Sequence, residues 1–202
     1  MIRDTINATS RRVPKWAAYL LGLVPFGLLF FQAATNQLGI DPVKALEREL
    51  GSIALQLLIG GLAITPLLKI GRINLVKFRR VIGVLAYFYV SMHFLTWIVL
   101  DMGLLWSEIL KDLVKRWYVI IGMAAFVLMT PLVITSNDWA VRKMGGAAWR
   151  KMHKIVYATA LLGGLHYILL VKGFQIEPLI YVAITVVLLA LRIPAAKKLR
   201  FA

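Results

Sequence analysis

Six apolar runs alternate along this chain with short segments that carry most of its charge. A helix needs about 20 predominantly apolar residues to cross the hydrocarbon core of a bilayer, and each run approaches that length. The connections between the runs are too short to form a folded domain outside the membrane. The sequence therefore predicts an all-α fold in which residues 1–202 form one integral membrane domain, a bundle of six transmembrane helices at 16–34, 53–68, 81–100, 117–135, 152–171 and 178–193.

Composition supports the membrane interpretation. The chain is 60% hydrophobic and has a mean hydropathy of +0.79, yet its formal net charge is +15. A soluble domain of this composition would expose large apolar patches, and a nucleic-acid-binding protein would contain far fewer aliphatic residues. The first run follows three basic residues, as in a signal peptide. Because every later run is similarly apolar, we expect this run to be an uncleaved first span.

The distribution of charge predicts how the bundle is oriented. Basic residues are concentrated in four segments, namely the N-terminus, 69–80, 142–154 and the tail from Arg192. The positive-inside rule places these segments, and with them both chain termini, in the cytoplasm. The other three connections face outward and hold most of the acidic residues, which are Asp41, Glu47, Glu49, Asp101, Glu108, Asp112 and Glu177. Topology thus accounts for the basic excess, and no nucleic-acid partner is expected.

The chain contains no cysteine, which limits the redox chemistry open to it. Disulfides, iron–sulfur clusters, thiolate-bound zinc and the covalent attachment of c-type haem are all excluded. There is also no glycine-rich phosphate loop of the kind that binds a nicotinamide or flavin dinucleotide. A chain like this, if it carries electrons, must receive them from one molecule and pass them to another.

The three histidines occupy two predicted depths. At about 1.5 Å per residue, His93 and His166 both lie near 20 Å from the cytoplasmic ends of their helices, whereas His153 lies at the cytoplasmic mouth. Two neutral imidazoles facing each other at one depth suit a six-coordinate b-type haem. Hydrogen bonding between helices is the simpler alternative. Small residues that could leave room for a flat macrocycle are Gly60, Gly61, Gly83, Gly163 and Gly164.

A weak internal repeat relates the third run to the fifth. Aligning His93 with His166 places Arg80 opposite His153, so the inner level pairs one histidine with an arginine, which is a poor iron ligand. We expect Arg79 or Arg80 to meet haem propionates, lipid phosphate or a bound anionic cofactor, or simply to supply positive-inside charge. On an ideal helix the side chains of His153 and His166 point in directions about 140° apart. They could share one face only if the helix bent at the glycine pair.

Several longer blocks resemble the MsrQ family, the haem-binding membrane subunits of bacterial periplasmic methionine-sulfoxide reductase systems, once grouped with ferric-reductase-like transmembrane proteins. The resemblance covers nearly the whole chain in order. It is carried by LGIDPVKALERELG at 38–51, AITPLLK at 63–69, FRRVIGVLAYFYVSMHFLTW at 78–97, KRWYVIIG at 115–122, MGGAAWRKMHKIVYATALLGGLHY at 144–167 and EPLIY at 177–181.

This resemblance implies a multi-pass protein of the bacterial inner membrane, surrounded by lipid. It implies b-type haem, FMN, electrons from the quinone pool, and delivery to MsrP, a periplasmic molybdenum-cofactor enzyme that reduces methionine sulfoxide in proteins. The haem residues of the family fall on His93, His153 and His166, with Arg79 or Arg80 as a further candidate. FMN falls on no particular residue, and the chain is expected to be an electron-transfer subunit without catalytic residues of its own.

Two other classes of function stay open. A stand-alone reductase of ferric ions or oxygen would need its own flavin and nicotinamide domain, or an open position on the iron, and neither is evident in the sequence. A haem-free channel or transporter could use the histidines to relay protons. An absorption spectrum separates the last class from the others, and capture of the periplasmic partner separates the first two.

Overall fold

The computed structural model describes residues 2–171 and 173–192, and all regular structure within them is helical, which confirms the predicted all-α class. Short 3₁₀ turns at Val76–Phe78 and His153–Ile155 precede two of the helices, and a π-helical turn at Thr96–Asp101 follows a third. The α-helices are α1 Ile2–Arg12, α2 Lys15–Ala34, α3 Pro42–Lys69, α4 Arg79–Leu95, α5 Trp106–Lys115, α6 Trp117–Ile134, α7 Asp138–Met144, α8 Gly146–Met152, α9 Val156–Leu170 and α10 Ile176–Ala190.

Four helical segments in the described part of the chain are long and apolar enough to cross a membrane. They are α2, α3, α6, and α4 taken together with its flanking turns over Val76–Asp101. The shorter α10 is apolar, and α8 leads through the 3₁₀ turn into α9. Six spans and cytoplasmic termini remain predictions, and the end of the last predicted run, with the basic tail beyond Arg192, lies outside the described residues.

Helix α3 is longer than the predicted run at 53–68, because it begins at Pro42 and extends over 28 residues. Asp41 caps it by accepting a hydrogen bond from the backbone N–H of Lys44, and proline is well suited to the first helical position. A search for apolar runs misses these first turns, because several of residues 44–49 are charged. The added turns matter because they bring Glu47 and Gly51 to the level of the paired histidines.

The third run also differs from its prediction at 81–100. Helix α4 begins earlier, at Arg79, and its α-helical geometry ends at Leu95, where the π-helical turn begins. At this junction the buried Thr96 hydroxyl donates to the carbonyl of Met92. The turn places Trp97 in a core cluster with Ile109 and Val119, so it packs the end of α4 against α5 and α6.

Two helix pairs, α3 with α4 and α6 with α9, form the most extensive packing in the described chain. Helix α2 joins the first pair through Tyr89, which is fully buried on α4. The Tyr89 hydroxyl donates to the carbonyl of Gly22 and accepts from the N–H of Phe26, so its polar group is satisfied inside the bundle. Each of the two pairs contributes one histidine to the site described next.

Candidate cofactor site

His93 on α4 and His166 on α9 face each other in the middle of the bundle. Their ring centroids are 6.2 Å apart and the ring planes meet at 81°. Both rings line a cavity of about 140 Å³ whose walls are mostly apolar, with Leu55, Leu58, Val90, Phe94 and Met129 among them. The structure thus brings together the two histidines for which helix rise alone predicts a common depth.

Each histidine is anchored to a backbone carbonyl on a neighbouring helix. His93 Nδ1 donates to the carbonyl of Glu47 at 2.8 Å, and His166 Nδ1 donates to the carbonyl of Tyr118 at 2.7 Å. Because a carbonyl oxygen can only accept, the proton of each neutral ring is on Nδ1. The lone pair of each Nε2 is then available to a metal, the arrangement common among metal-binding histidines.

Two glycines make room for these anchored rings. A Cβ atom at Gly51 would lie 3.1 Å from His93 Nδ1, and one at Gly122 would lie 2.8 Å from His166 Nδ1. Gly51 follows Glu47 by four residues and Gly122 follows Tyr118 by four, so each glycine is one helical turn beyond the acceptor carbonyl. The same arrangement therefore occurs twice: a carbonyl and a glycine on one helix contact a histidine on a neighbouring helix.

These residues fit a six-coordinate haem. Metal–nitrogen bonds of about 2 Å on each side of an iron separate the centres of two axial imidazoles by about 6 Å, close to the spacing of this pair. No group of three or more metal-ligating side chains occurs in residues 2–171 and 173–192. A metal between the two histidines would therefore need further ligands from outside the protein, and a porphyrin supplies four.

Ion-pair networks support both anchoring residues. On the α3 side, Lys44 Nζ lies 3.6 Å from Glu47 and also contacts Asp101. On the α6 side, Arg116 pairs with the buried Asp112 at 3.0 Å and donates to the Tyr118 hydroxyl at 2.9 Å. That hydrogen bond to Tyr118 is the main cause that raises the pKa of Arg116. The two networks brace the residues whose carbonyls orient the histidines.

His153 has different surroundings from the other two histidines. Its ring stacks on Trp149, with centroids 3.8 Å apart and an angle of 26° between the planes. The Thr135 hydroxyl donates its single proton to the carbonyl of Pro131 at 2.6 Å, so it accepts from His153 Nε2 at 3.0 Å. The nitrogen that is free in His93 and His166 is therefore occupied in His153.

Arg79 and Arg80 line a second cavity, of about 610 Å³, together with His153. Arg79 donates to the Thr65 hydroxyl at 2.8 Å, and Arg80 donates to Asp138 at 2.7 Å. This hydrogen bond, together with the positive charge of Arg80, lowers the pKa of the exposed Asp138. The arginine that the repeat aligns with His153 is thus already engaged by a carboxylate.

The predicted bend at the glycine pair is not needed to reconcile the two histidines of the fifth run. His153 and His166 line different cavities, which share Leu58 and Met129 at their boundary, so the two rings need no common face. At the 3₁₀ turn His153–Ile155, successive residues rotate about the helix axis by about 120° instead of about 100°, so the directions of the two histidines differ from those on an ideal α-helix. The glycine pair lies further along α9, where Gly163 lines the cavity of the paired histidines and Gly164 packs against α10.

Comparisons with known proteins identify the family of this chain. Residues 49–164 match the family described as ferric reductase like transmembrane component. The haem-binding subunit MsrQ of the protein-methionine-sulfoxide reductase of Agrobacterium fabrum is 42% identical over 88% of this chain and 82% of its own length. Its namesake from Brucella ovis is 43% identical over 88% of this chain and 80% of its own length. The chain belongs to the MsrQ family. No solved structure matches it.

The family match in this MsrQ-family chain contains His93, His153 and both histidine-contacting glycines, and it ends two residues before His166. Gly51 and Gly122 were missed by the sequence analysis. The repeat gives no signal for them, because the alignment of His93 with His166 places Gly51 opposite Ala124, two residues beyond Gly122.

The glycines that the sequence did select have other roles. Gly163 lines the cavity of the paired histidines, while Gly61 and Gly83 line the second cavity. Gly164 instead lets α9 approach α10, since a Cβ there would lie 2.7 Å from a methyl group of Val182. A Cβ at Gly60 would meet no atom within 4 Å. Of these five glycines, only Gly163 lines the cavity of the paired histidines, and the idea that they flank a macrocycle stays a prediction.

Proposed function

We propose that this chain is a transmembrane b-type haem subunit that passes electrons from quinol to MsrP, a periplasmic molybdenum-cofactor enzyme that reduces methionine sulfoxide in proteins. The observation that carries the proposal is the pair His93 and His166, whose rings are anchored through Nδ1 with both Nε2 lone pairs available. The names of the MsrQ relatives, which are haem-binding subunits of a protein-methionine-sulfoxide reductase, support the cofactor and the pathway.

When bound, a b-type haem supplies a one-electron centre inside the membrane. His93 and His166 would hold it, and the carbonyls of Glu47 and Tyr118 would fix the orientation of their rings. A hydrogen bond to Nδ1 also makes the opposite nitrogen a better ligand. Because both rings are held by helices of the bundle, the residues that bind the cofactor need not move when its charge changes.

His153, Arg79 and Arg80 have a secondary role in this proposal. The Nε2 of His153 is engaged by Thr135, and the arginines stay protonated and are poor iron ligands. We therefore assign one robust haem to the pair His93 and His166. FMN and quinone stay predictions of the family resemblance, and neither is assigned to a described residue.

The orientation of the chain can be tested with reporter fusions. Fusions after Lys77, after Lys143 and at the C-terminus should report the cytoplasm, because the basic segments resist translocation. Fusions in the turns at 35–40 and 103–105 should report the periplasm, since these lie at the opposite ends of the spanning helices. A periplasmic C-terminus would contradict the six-span topology and place the paired histidines near the wrong side of the membrane.

Electron flow through the subunit can be followed in its absorption spectrum. Reduced quinone should convert the oxidised spectrum to the reduced one, and MsrP with methionine sulfoxide should then restore the oxidised form. The control is MsrP without methionine sulfoxide, which should accept few electrons. If quinol reduces the haem but MsrP with its substrate does not reoxidise it, the acceptor is a different molecule. Rapid reoxidation by a ferric chelate or oxygen alone would then favour a stand-alone reductase.

A further inference from the structure

The cavity of the paired histidines has two chemically different ends. Where α3 and α6 begin, its walls include the charged residues Glu47 and Arg48 and the aromatic Tyr118. Further along the same helices they are formed by Leu58 and Met129, which also border the second cavity. We call these the outer end and the inner end, because the predicted topology directs the first of them towards the periplasm.

The inner end offers little to a polar ligand. Thr159 on α9 lies towards this end and is fully buried. Its hydroxyl donates to the carbonyl of Val156, one turn earlier in the chain, at 2.9 Å. The hydroxyl is therefore satisfied within its own helix, and the aliphatic and thioether groups around it suit the apolar edge of a ligand.

Arg48 is the one arginine or lysine among the described residues that line this cavity. Its side chain is also exposed, so it lies at the rim. No ion pair or side-chain hydrogen bond within residues 2–171 and 173–192 engages its guanidinium, and the remaining residues contain neither aspartate nor glutamate. The N–H donors of this guanidinium are thus open to a ligand at the outer end.

The other charged side chains near the outer end are engaged by one another. Lys44 contacts both Glu47 and Asp101 on the α3 side. On the α6 side, Arg116 pairs with Asp112 and donates to the Tyr118 hydroxyl. Arg48 lies beyond ion-pair distance of all these carboxylates, so it is the cation at this end that lacks a counter-ion in the described part of the chain.

We infer that Arg48 binds the propionate groups of the haem and so orients the haem with its carboxylate edge at the outer end. A b-type haem has its propionates on one edge and apolar methyl and vinyl groups elsewhere on the ring, which matches the two ends of the cavity. The planar guanidinium fork fits the geometry of a carboxylate, and hydrogen bonds between charged partners are among the stronger ones in proteins. This inference rests on the haem of the proposed function.

The energetic reason for such a partner is the low polarity of the surroundings. A carboxylate that leaves water without a counter-charge or hydrogen-bond donor is strongly destabilised. An unpaired guanidinium at the rim removes this penalty at the outer end, whereas Leu58 and Met129 could not do so at the inner end. The carboxylate edge of the haem would then lie on the side from which a periplasmic acceptor approaches.

The test compares haem b with its dimethyl ester, which has the same ring and iron but no negative charge. The full-length chain is produced in haem-deficient cells, purified, and titrated with each compound while the low-spin absorption band is followed. The ratio of the two dissociation constants measures how strongly the carboxylates are recognised. A change that merely loosens the bundle weakens both compounds alike and leaves this ratio unaltered.

Three variants examine the role of Arg48. Arg48→Gln should lower the preference for haem b over its ester about tenfold or more, as expected for a lost charge-assisted hydrogen bond. Arg48→Lys keeps the charge but not the planar fork, so it should retain part of the preference. Lys115→Gln is the control, because it removes a cation from an exposed residue that does not line the cavity, and it should leave the ratio unchanged.

Two results would overturn the inference alone. The first is that Arg48→Gln weakens haem b and the ester equally, or weakens neither, because Arg48 then serves the bundle or another anion such as a lipid phosphate. The second is that Lys115→Gln lowers the ratio as much as Arg48→Gln does, since general positive charge would then suffice. A chain that binds neither compound would instead overturn the proposed function, and this inference with it.

Discussion

Replacing His93 or His166 with alanine is expected to abolish the low-spin b-type haem spectrum, while His153→Ala keeps most of it. Each of the first two changes removes one of the two ring nitrogens that would hold the iron and leaves the other histidine without a partner across the cavity. Loss of a residue that merely supports a metal ligand costs about 10–100-fold in affinity, so loss of a ligand should cost at least that. Haem per chain, measured by pyridine haemochrome, checks the three variants.

His153→Ala is the informative comparison in this series. Its Nε2 is engaged by Thr135 and its ring stacks on Trp149, so its removal should disturb the second cavity more than the site of the paired histidines. We expect near-normal haem content and impaired reduction from the cytoplasmic side. If His153→Ala loses as much low-spin haem as His93→Ala does, then His153 is an equal axial ligand and the assignment of one robust haem is wrong.

Alanine in place of Gly122 or Gly51 should also displace the haem, although no ligand is changed. The new methyl group would lie 2.8 Å from His166 Nδ1 in the first variant and 3.1 Å from His93 Nδ1 in the second. Either contact forces a ring away from the carbonyl that anchors it and changes its position relative to the opposing imidazole. We expect the larger loss of low-spin haem from Gly122→Ala, because its contact is closer, and the same haemochrome assay measures it.

Helix propensity alone predicts that these glycine-to-alanine variants are more stable, whereas the contacts with the histidines predict a loss of haem. The variants therefore distinguish the two effects. Alanine in a helix interior is more favourable than glycine by about 1 kcal/mol. Gly60→Ala is the matched control, since it lies on α3 like Gly51 and its methyl group would meet no atom within 4 Å. It should keep its haem and be slightly more stable. If Gly122→Ala also keeps an unchanged spectrum, the histidine rings are not held as the structure indicates.

The bounds of the helices show where the sequence was sufficient and where it was not. Helix α6 at Trp117–Ile134 agrees closely with the predicted run, because its residues are almost all apolar. Helix α3 exceeds its predicted run by eleven residues at the start, because charged side chains can occupy the first turns of a helix whose capping residue is Asp41. Hydropathy detects the part of a helix that faces lipid and misses the part that extends beyond it.

The common depth of His93 and His166 was determined by the sequence, because depth depends on the helical rise per residue and on where each helix begins. The all-α class and the separation of basic from acidic connections were likewise readable from local composition. The contacts of the Glu47 and Tyr118 carbonyls with the histidines, the two facing glycines and the second cavity were decided by the tertiary structure alone. Each of these joins residues from different helices, and the rotation of one helix against another is set by side-chain packing between them, which no single stretch of sequence contains.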